Sequence, residues 1–316
     1  MLSVILSFSS VQTGLARWVT NRVNASYGTA IEIQKLDLSS IRNINLKNVL
    51  IRDHHSDTLI SVASLETSIL NYRNLFSSEL NFGDIYLENG AFILKTYKGE
   101  ELKNLSVLGN KFKKEKAGKS STFKLFTSSI VVESIDFSLF NKNKKEAAVV
   151  YYKEIYGNFD NFKIVGSNVS ADIHDLRVVE NHDVAVTSFK TNFSYTDTTM
   201  QFLDTRLATK GSALNADIIF KYKPGDLSDF TNKVQIEADF KKADVVLSDL
   251  KKLYGEFGKR DVIHFSAKAK GTINDFVLKD INLESDRLSS LRGTVAIKNV
   301  LNPVQFNLQG DIYVLS

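Results

Sequence analysis

The chain has 316 residues, of which 43% are hydrophobic and 24% charged, and this balance excludes global disorder while allowing one long domain or two compact ones. The net charge of +4, from 40 Lys and Arg against 36 Asp and Glu, is too small to indicate a nucleic-acid-binding protein. The chain has no cysteine, which excludes disulfides, thiolate metal sites and a cysteine nucleophile. Two prolines beside 21 Phe and 11 Tyr form a composition that favours strands.

The N-terminal segment, residues 1–28, has a clear helical pattern. Its apolar residues recur at every fourth position up to Val23, and Gly28 can end the helix. Since a bilayer span needs about 20 apolar residues, we expect either the end of a membrane anchor or an amphipathic helix that caps a sheet. As an anchor, the segment would place these residues in or at the membrane: Leu2, Val4, Ile5, Leu6, Phe8, Val11, Leu15 and Trp18.

The remaining residues, 29–316, are predicted to form one β-rich segment. In LNADIIFKY (214–222) and VQIEADF (234–240) apolar and polar residues alternate, which predicts strands with one apolar and one hydrated face. One short helix is predicted in ADVVLSDLKKLYGEFGK (243–259), with Gly255 as its stop. The apolar residues with helical spacing in that stretch are Val246, Leu247, Leu250 and Leu253.

A recurring interruption of the strand pattern predicts bulges. The unit is apolar-x-apolar-x-x-apolar-x-apolar, and a β-bulge at its polar middle pair would bend the strand while keeping both halves' apolar residues on one face. The middle pairs are Gln34 and Lys35, Lys47 and Asn48, Gly83 and Asp84, Glu133 and Ser134, His174 and Asp175, and Lys279 and Asp280.

Strands that bend toward their apolar face would form an elongated, curved antiparallel sheet with a U-shaped apolar groove. The alternative is that the same strands close a sandwich or barrel core. Under the first interpretation we expect these residues to line the groove: Leu80, Phe82, Ile85, Leu87, Ile130, Val132, Ile135, Phe137, Leu214, Ile218, Phe220, Val234, Ile236 and Phe240.

The segment from VQTGLARWVTNRVNASYGTAIEIQKLDL through LNFGDIYLENGAFILKTYKGEELKNLSV, about residues 11–108, resembles the N-terminal region of TamB-like proteins, within the AsmA-like group of diderm bacteria. This resemblance implies an N-terminal inner-membrane helix followed by a long periplasmic β-taco with an apolar interior. It also implies roles in phospholipid transport to the outer membrane and in assembly with an outer-membrane barrel partner. That partner would bind a C-terminal domain that this chain lacks, so we expect the chain to be the N-terminal part of a longer protein.

The resulting functional hypothesis is an envelope-spanning protein, anchored in the inner membrane and located in the periplasm, whose groove carries phospholipid. Such a groove needs no catalytic residue, cofactor or nucleic-acid partner. The alternative is a structural or adhesive β protein with a closed core and no lipid cargo. Co-purification of lipid would distinguish the two hypotheses.

One group of potential metal ligands stands out in RDHHSDT (52–58). Asp53, His54, His55 and Asp57 offer imidazole and carboxylate groups that could hold a divalent ion. Neighbouring residues of a strand point to opposite faces, and these four fall between two predicted strands. We therefore predict a solvated turn without a metal, and the sequence has no motif of a hydrolase, P-loop or dinucleotide-binding protein.

Overall fold

The computed structural model describes residues 9–38, 43–70, 79–112, 123–143, 148–181, 185–249, 262–285, 288–300, 302 and 304–315. In these ranges the helices are α1 (Ser9–Tyr27), α2 (Asn104–Phe112), the 3₁₀ helix η1 (Asp226–Asp229) and α3 (Phe230–Lys233). The strands are β1 (Ala30–Leu38), β2 (Asn43–Arg52), β3 (Thr58–Ile69), β4 (Glu79–Thr96), β5 (Lys124–Asn141), β6 (Ala148–Val165), β7 (Asn168–Asn181), β8 (Val186–Tyr195), β9 (Thr199–Thr209), β10 (Ala213–Lys221), β11 (Gln235–Val246), β12 (Val262–Gly271), β13 (Phe276–Ser285), β14 (Leu288–Lys298) and β15 (Asn307–Leu315).

The described strands form one open sheet whose order is the order of the sequence, from β1 to β15. The prediction of a mainly β fold preceded by an N-terminal helix is therefore confirmed. Each described pairing is antiparallel except that of β4 with β5, which is parallel, so the prediction of a purely antiparallel sheet was wrong at this pair. A parallel pair needs a crossover connection, and α2 lies in the connection between these two strands.

Helix α1 ends as the sequence predicts. Gly28 has a left-handed φ of 64°, and its N–H donates to the Asn24 carbonyl at 2.7 Å, which is the role of a glycine just past a helix C-terminus. Within the described part of the chain, we find no helix whose length and apolar content would allow it to cross a membrane.

The predicted helix at 243–259 is wrong at its beginning. Val246 is the last residue of β11, because the strand continues in register with β12 through the pairing of Val246 with Val262. Of the described residues in this stretch, 247–249 are helical. Leu250, Leu253 and Gly255 lie outside the described residues.

The chain divides into two compact units, with the division inside β7. The N-terminal unit comprises Met1–Ala171 and Val178–Glu180, and the C-terminal unit comprises Asp172–Arg177 and Asn181–Ser316. Each contains its own set of consecutive paired strands.

The bulges predicted at the polar pairs are confirmed at three of them. Ser134 and Asp280 have left-handed φ angles of 56° and 52°, and the register shifts beside both. Asn48 has a left-handed φ of 52°, but the pairing of β2 with β1 and β3 continues across it without an extra residue, so the bulge predicted there was wrong. At Gly83 and Asp84, β4 holds one extra residue relative to β3. The bulge predicted at Gln34 with Lys35 was also wrong, because Ile33 and Lys35 pair with Val49 and Lys47 without a shift. At His174 with Asp175 the bulge stays a prediction.

The bulges keep the apolar residues on one face, as the sequence predicts. Residues paired across neighbouring strands lie on the same face of a sheet. Phe82, Ile85 and Leu87 pair with Ile69, Thr67 and Leu65 respectively, and those three partners alternate regularly along β3. The three-residue step in β4 therefore does not move Ile85 to the other face.

Left-handed residues of neighbouring strands also lie at the same level in the N-terminal unit. Three of them have no paired Cα partner in the neighbouring strand and lie at the same level across the sheet: Asn48 in β2, Asn89 in β4 and Ser134 in β5. Glu154 in β6 is a further left-handed residue beside this row. Gln34 of β1 faces Asn48 and accepts a hydrogen bond from its amide. The irregularity is thus shared across the unit and does not belong to single strands.

Candidate functional site

A continuous apolar face covers one side of the strands in the N-terminal unit. Side chains from six consecutive strands line up in rows across the strands, because each is paired with an apolar residue of the next strand. One row contains Ile31, Ile51, Ile60, Phe92, Phe137 and Tyr152, and another contains Leu36, Leu46, Leu65, Leu87 and Val132. The Phe137 ring lies 5.8 Å from that of Phe92 and 6.3 Å from that of Tyr152, measured between centroids.

The C-terminal unit has an apolar face of the same construction. Phe220 is central to it, with its ring centroid 6.1 Å from that of Phe202 and 5.3 Å from that of Phe230. Two rows consist of Phe193, Phe202, Ile218, Ala238, Ala269, Leu278 and Val295, and of Tyr195, Met200, Phe220, Ile236, Gly271, Phe276, Ile297 and Leu308.

The residues predicted to line a groove all lie within described strands except Val234, which directly precedes β11. Val234 is completely buried, whereas the other thirteen are half-buried: Leu80, Phe82, Ile85, Leu87, Ile130, Val132, Ile135, Phe137, Leu214, Ile218, Phe220, Ile236 and Phe240. Among the described residues, the side chains less than 2% exposed are Leu59, Ala216, Val234 and Asn104. Within the described part of the chain, these predicted groove residues therefore keep partial exposure, whereas Ala267, Ile281 and Val295 form a small buried cluster.

The residues predicted as a membrane anchor are only partly described. Leu2, Val4, Ile5, Leu6 and Phe8 lie outside the described residues, and for Val11 and Leu15 the structure describes the helical backbone alone. Trp18 is 50% exposed on α1, with the Arg22 guanidinium 5.9 Å from its ring centroid.

Helix α1 is attached to the outer edge of β1 by the side chain of Asn24. Its Oδ1 accepts from the Ile31 N–H and its Nδ2 donates to the Ile31 carbonyl, both at 2.9 Å. The Thr29 hydroxyl donates to the same oxygen at 2.9 Å. One amide side chain thus satisfies the two backbone groups that an edge strand would otherwise leave unpaired at this position.

The turn at RDHHSDT is organised around a buried carboxylate, so the prediction of a solvated turn was wrong for Asp53, which is 6% exposed. Its Oδ1 accepts from the N–H groups of His55 and Asp57 at 2.9 and 3.0 Å. Its Oδ2 accepts from the Asn104 amide at 3.0 Å and lies 2.6 Å from the Tyr97 hydroxyl. Burial of a carboxylate is tolerated here because both oxygens are hydrogen-bonded.

Asn104, at the start of α2, is fully buried and uses its whole amide group. Its Oδ1 accepts from the N–H groups of Lys95 and Leu105, each at 2.9 Å. Its Nδ2 donates to Asp53 and to the Ile93 carbonyl at 3.1 Å. The amide joins the turn after β2 to the end of β4 and to α2.

Charges around Tyr97 shift the pKa values of three groups. Burial raises the pKa of Asp53, but hydrogen bonds from Tyr97, Asn104 and the backbone outweigh it, so the net pKa is lowered. The hydrogen bond from Lys95, at 2.8 Å, lowers the pKa of Asp57. Burial and the two neighbouring carboxylates raise the pKa of the Tyr97 phenol. At neutral pH the hydroxyl therefore keeps its proton and shares it between Asp53 and Asp57.

The two histidines of the turn face Glu100, which follows β4. His54 Nε2 lies 2.8 Å from Glu100 Oε2, and His55 Nε2 lies 2.6 Å from Oε1. These contacts lower the pKa of Glu100, with the larger effect from His55. The structure thus separates the four candidate ligands of the sequence: His54 and His55 meet Glu100, whereas Asp53 and Asp57 meet Tyr97.

The sequence matches no protein-family model and no curated protein. Sequence reasoning also missed Tyr97, Glu100 and Asn104, which complete the cluster at the turn. The one local signal was Asn104 itself, because Asn is preferred at helix starts.

Proposed function

We propose that this chain is a segment of a lipid conduit in which the apolar faces hold phospholipid acyl chains on their way from the inner to the outer membrane. The observation that carries the proposal is that most side chains of the aligned apolar rows are half-buried; the exceptions are the buried Leu36, Ala238 and Val295 and the exposed Leu308. A sheet of a closed sandwich hides such rows under a second sheet about 10 Å away. In this protein most side chains of the apolar rows keep solvent-accessible area that a ligand can cover.

The energetics favour an apolar ligand. Moving one buried methylene into water costs about 0.8 kcal/mol, so a chain of about 16 carbons exposed to water costs on the order of 12 kcal/mol. A row of six strands spaced about 4.8 Å apart extends about 24 Å. One leaflet of a bilayer core is about 15 Å thick, so a row is long enough to accompany an acyl chain. Such a surface selects apolar chains without requiring a particular head group.

The proposed location follows from the N-terminal segment. In this proposal the residues before Ser9 and the exposed Trp18 hold α1 at the inner membrane, since Trp is favoured at membrane interfaces. The family resemblance to TamB-like proteins supports the same arrangement and adds an outer-membrane barrel partner.

Site-specific photo-crosslinking tests the proposal. A photoreactive amino acid replaces Phe137, on the apolar face of β5, or Val131, on the opposite face of the same strand, and both native positions are half-buried. We expect phospholipid adducts at Phe137 to exceed those at Val131 by at least tenfold when the protein is isolated from envelope membranes. Equal labelling, or no adduct at either position, would support the structural β protein instead.

A further inference from the structure

We propose that His54, His55 and Glu100, here called the His–Glu cluster, form a binding site for a divalent transition-metal ion such as Zn²⁺. Their ligand atoms, two imidazole nitrogens and a carboxylate oxygen, all lie within 4.8 Å of one another. Two histidines and one carboxylate are an established set of protein ligands for zinc with a position left open for water. The site does not depend on the proposed lipid function.

The distances are close to those that an ion requires. With metal–ligand bonds of about 2.0–2.2 Å, neighbouring ligand atoms of a tetrahedral site are about 3.4 Å apart. The two contacts from imidazole to Glu100 are 2.8 and 2.6 Å. An ion would therefore need these contacts to open by less than an ångström, about 0.6–0.8 Å on the same geometry, which side-chain rotation can supply.

The charges of the cluster also suit a divalent ion. Such an ion binds the Nε2 lone pairs of neutral imidazoles and is paired with the Glu100 carboxylate.

The histidine side of the site is held by the structure around it. The backbone of the turn is fixed by Asp53, whose carboxylate accepts from the His55 N–H. The His55 ring stacks on the buried Tyr97 ring with centroids 3.8 Å apart, and the His54 ring meets Tyr97 edge-on at 5.5 Å. Ligands that are oriented before the ion arrives lose less conformational freedom on binding.

Glu100 is held by a second loop. Its N–H donates to the Tyr97 carbonyl at 3.1 Å. Its own carbonyl accepts from the Asn143 amide at 2.8 Å, and Asn143 Oδ1 accepts from the Gly99 N–H at 2.8 Å. The bound ion would therefore crosslink the turn between β2 and β3 to the loop that follows β4.

The ligand set points to a transition metal and away from calcium or magnesium. Imidazole nitrogen binds zinc, copper and nickel well, whereas calcium and magnesium prefer oxygen ligands alone. The His55 side chain is 44% exposed and that of Glu100 is 32% exposed, so an ion can enter from solvent and complete its coordination with water.

The test is a zinc titration, by calorimetry, of the full chain prepared without a histidine tag and freed of metal by chelation. We expect one zinc ion per chain, and an affinity at least tenfold lower for His54→Ala, His55→Ala and Glu100→Gln. The matched control is His264→Ala. His264 Nδ1 contacts a carboxylate oxygen of Asp244 at 2.6 Å, and among the described residues this pair does not belong to a group of three potential metal ligands. This control should keep the parent affinity.

No zinc binding by the parent chain, or an affinity that stays within twofold in all four variants, would overturn the site. Glu100→Gln preserves the size of the side chain, so it remains informative if an alanine variant fails to fold. Nuclear magnetic resonance of the histidine ring nitrogens adds a measurement on the unaltered chain. Zinc should shift the signals of His54 and His55, and equal shifts at His264 would indicate surface binding only.

Discussion

At the scale of single residues, the central feature is the buried Asp53 carboxylate. It accepts hydrogen bonds from groups that lie two, four, 44 and 51 positions away. A buried acceptor with several donors stabilises a fold mainly because its removal would leave those donors unpaired. Asp53 is therefore a structural residue that positions the turn, and the exposed imidazoles beside it depend on that turn.

Replacing Asp53 by Ala tests this role. The change leaves the Asn104 amide and two backbone N–H groups without their acceptor, and each unpaired buried group costs about 1–3 kcal/mol. We expect the free energy of unfolding to fall by about 3 kcal/mol in urea denaturation. Glu101→Ala, at an exposed carboxylate without a left-handed φ, is the control and should change it by less than about 0.5 kcal/mol. A loss for Asp53→Ala no larger than the control would refute the structural role.

At the scale of elements, left-handed residues and bulges in the middle of strands explain why the alternation of apolar and polar residues is interrupted. The left-handed residues Asn48, Asn89 and Asp280 are of the types that adopt this conformation most easily, whereas Ser134 and Glu154 are less usual there. The bulges let polar pairs interrupt the alternation without moving apolar side chains to the hydrated face. Each strand thereby stays consistent with its neighbours across the apolar rows.

Ser134→Val tests whether the left-handed backbone is required. A β-branched residue is strained at a φ of 56°, and residues in such regions cost about 1–3 kcal/mol. We expect Ser134→Val to lower the free energy of unfolding by that order. Ser128→Val is the matched control, in the same strand at an exposed position without a left-handed φ. Since Val favours strands, the control should be neutral or slightly stabilising; equal effects of the two changes would show that no special conformation is needed.

At the scale of the whole molecule, the question is whether the apolar residues form a ligand surface or a sealed core. Rows whose side chains are mostly half-buried occur in both units, and no second layer covers them among the described residues. The edge of β1, by contrast, is protected by the side chain of Asn24. The two interpretations differ in what a charge on the apolar face would do. A charge on an accessible wall stays partly hydrated, whereas a charge in a closed core has no solvent.

Phe220→Lys is the corresponding substitution, with Ile219→Lys, on the opposite face of β10, as its control. We expect Phe220→Lys to keep the far-UV circular dichroism spectrum, to lower the melting temperature by only a few degrees and to abolish phospholipid co-purification. Ile219 pairs with Glu237 across the strands, so Ile219→Lys should leave lipid retention unchanged. Global unfolding by Phe220→Lys, with no lipid bound to the parent chain, would support the closed core.

The sequence by itself determined the features that depend on neighbouring residues. Alternation and its three-residue slips predicted the strands and, at Gly83, Ser134 and Asp280, the bulges, because the direction of a side chain along a strand follows from the local backbone. Gly28 likewise predicted the end of α1. The same local rule failed at Val246, where pairing with Val262 extends β11 beyond the point at which helical spacing begins.

Only the tertiary structure decided features that depend on distant residues. No local pattern could join Asp53 to Tyr97 and Asn104, or bring Glu100 to His54 and His55. These groups are 44 to 51 positions apart and meet only when β2, β3 and β4 are paired. The parallel pairing of β4 with β5 is also a tertiary outcome. It depends on the path of the connection that contains α2, and strand periodicity is the same for parallel and antiparallel partners.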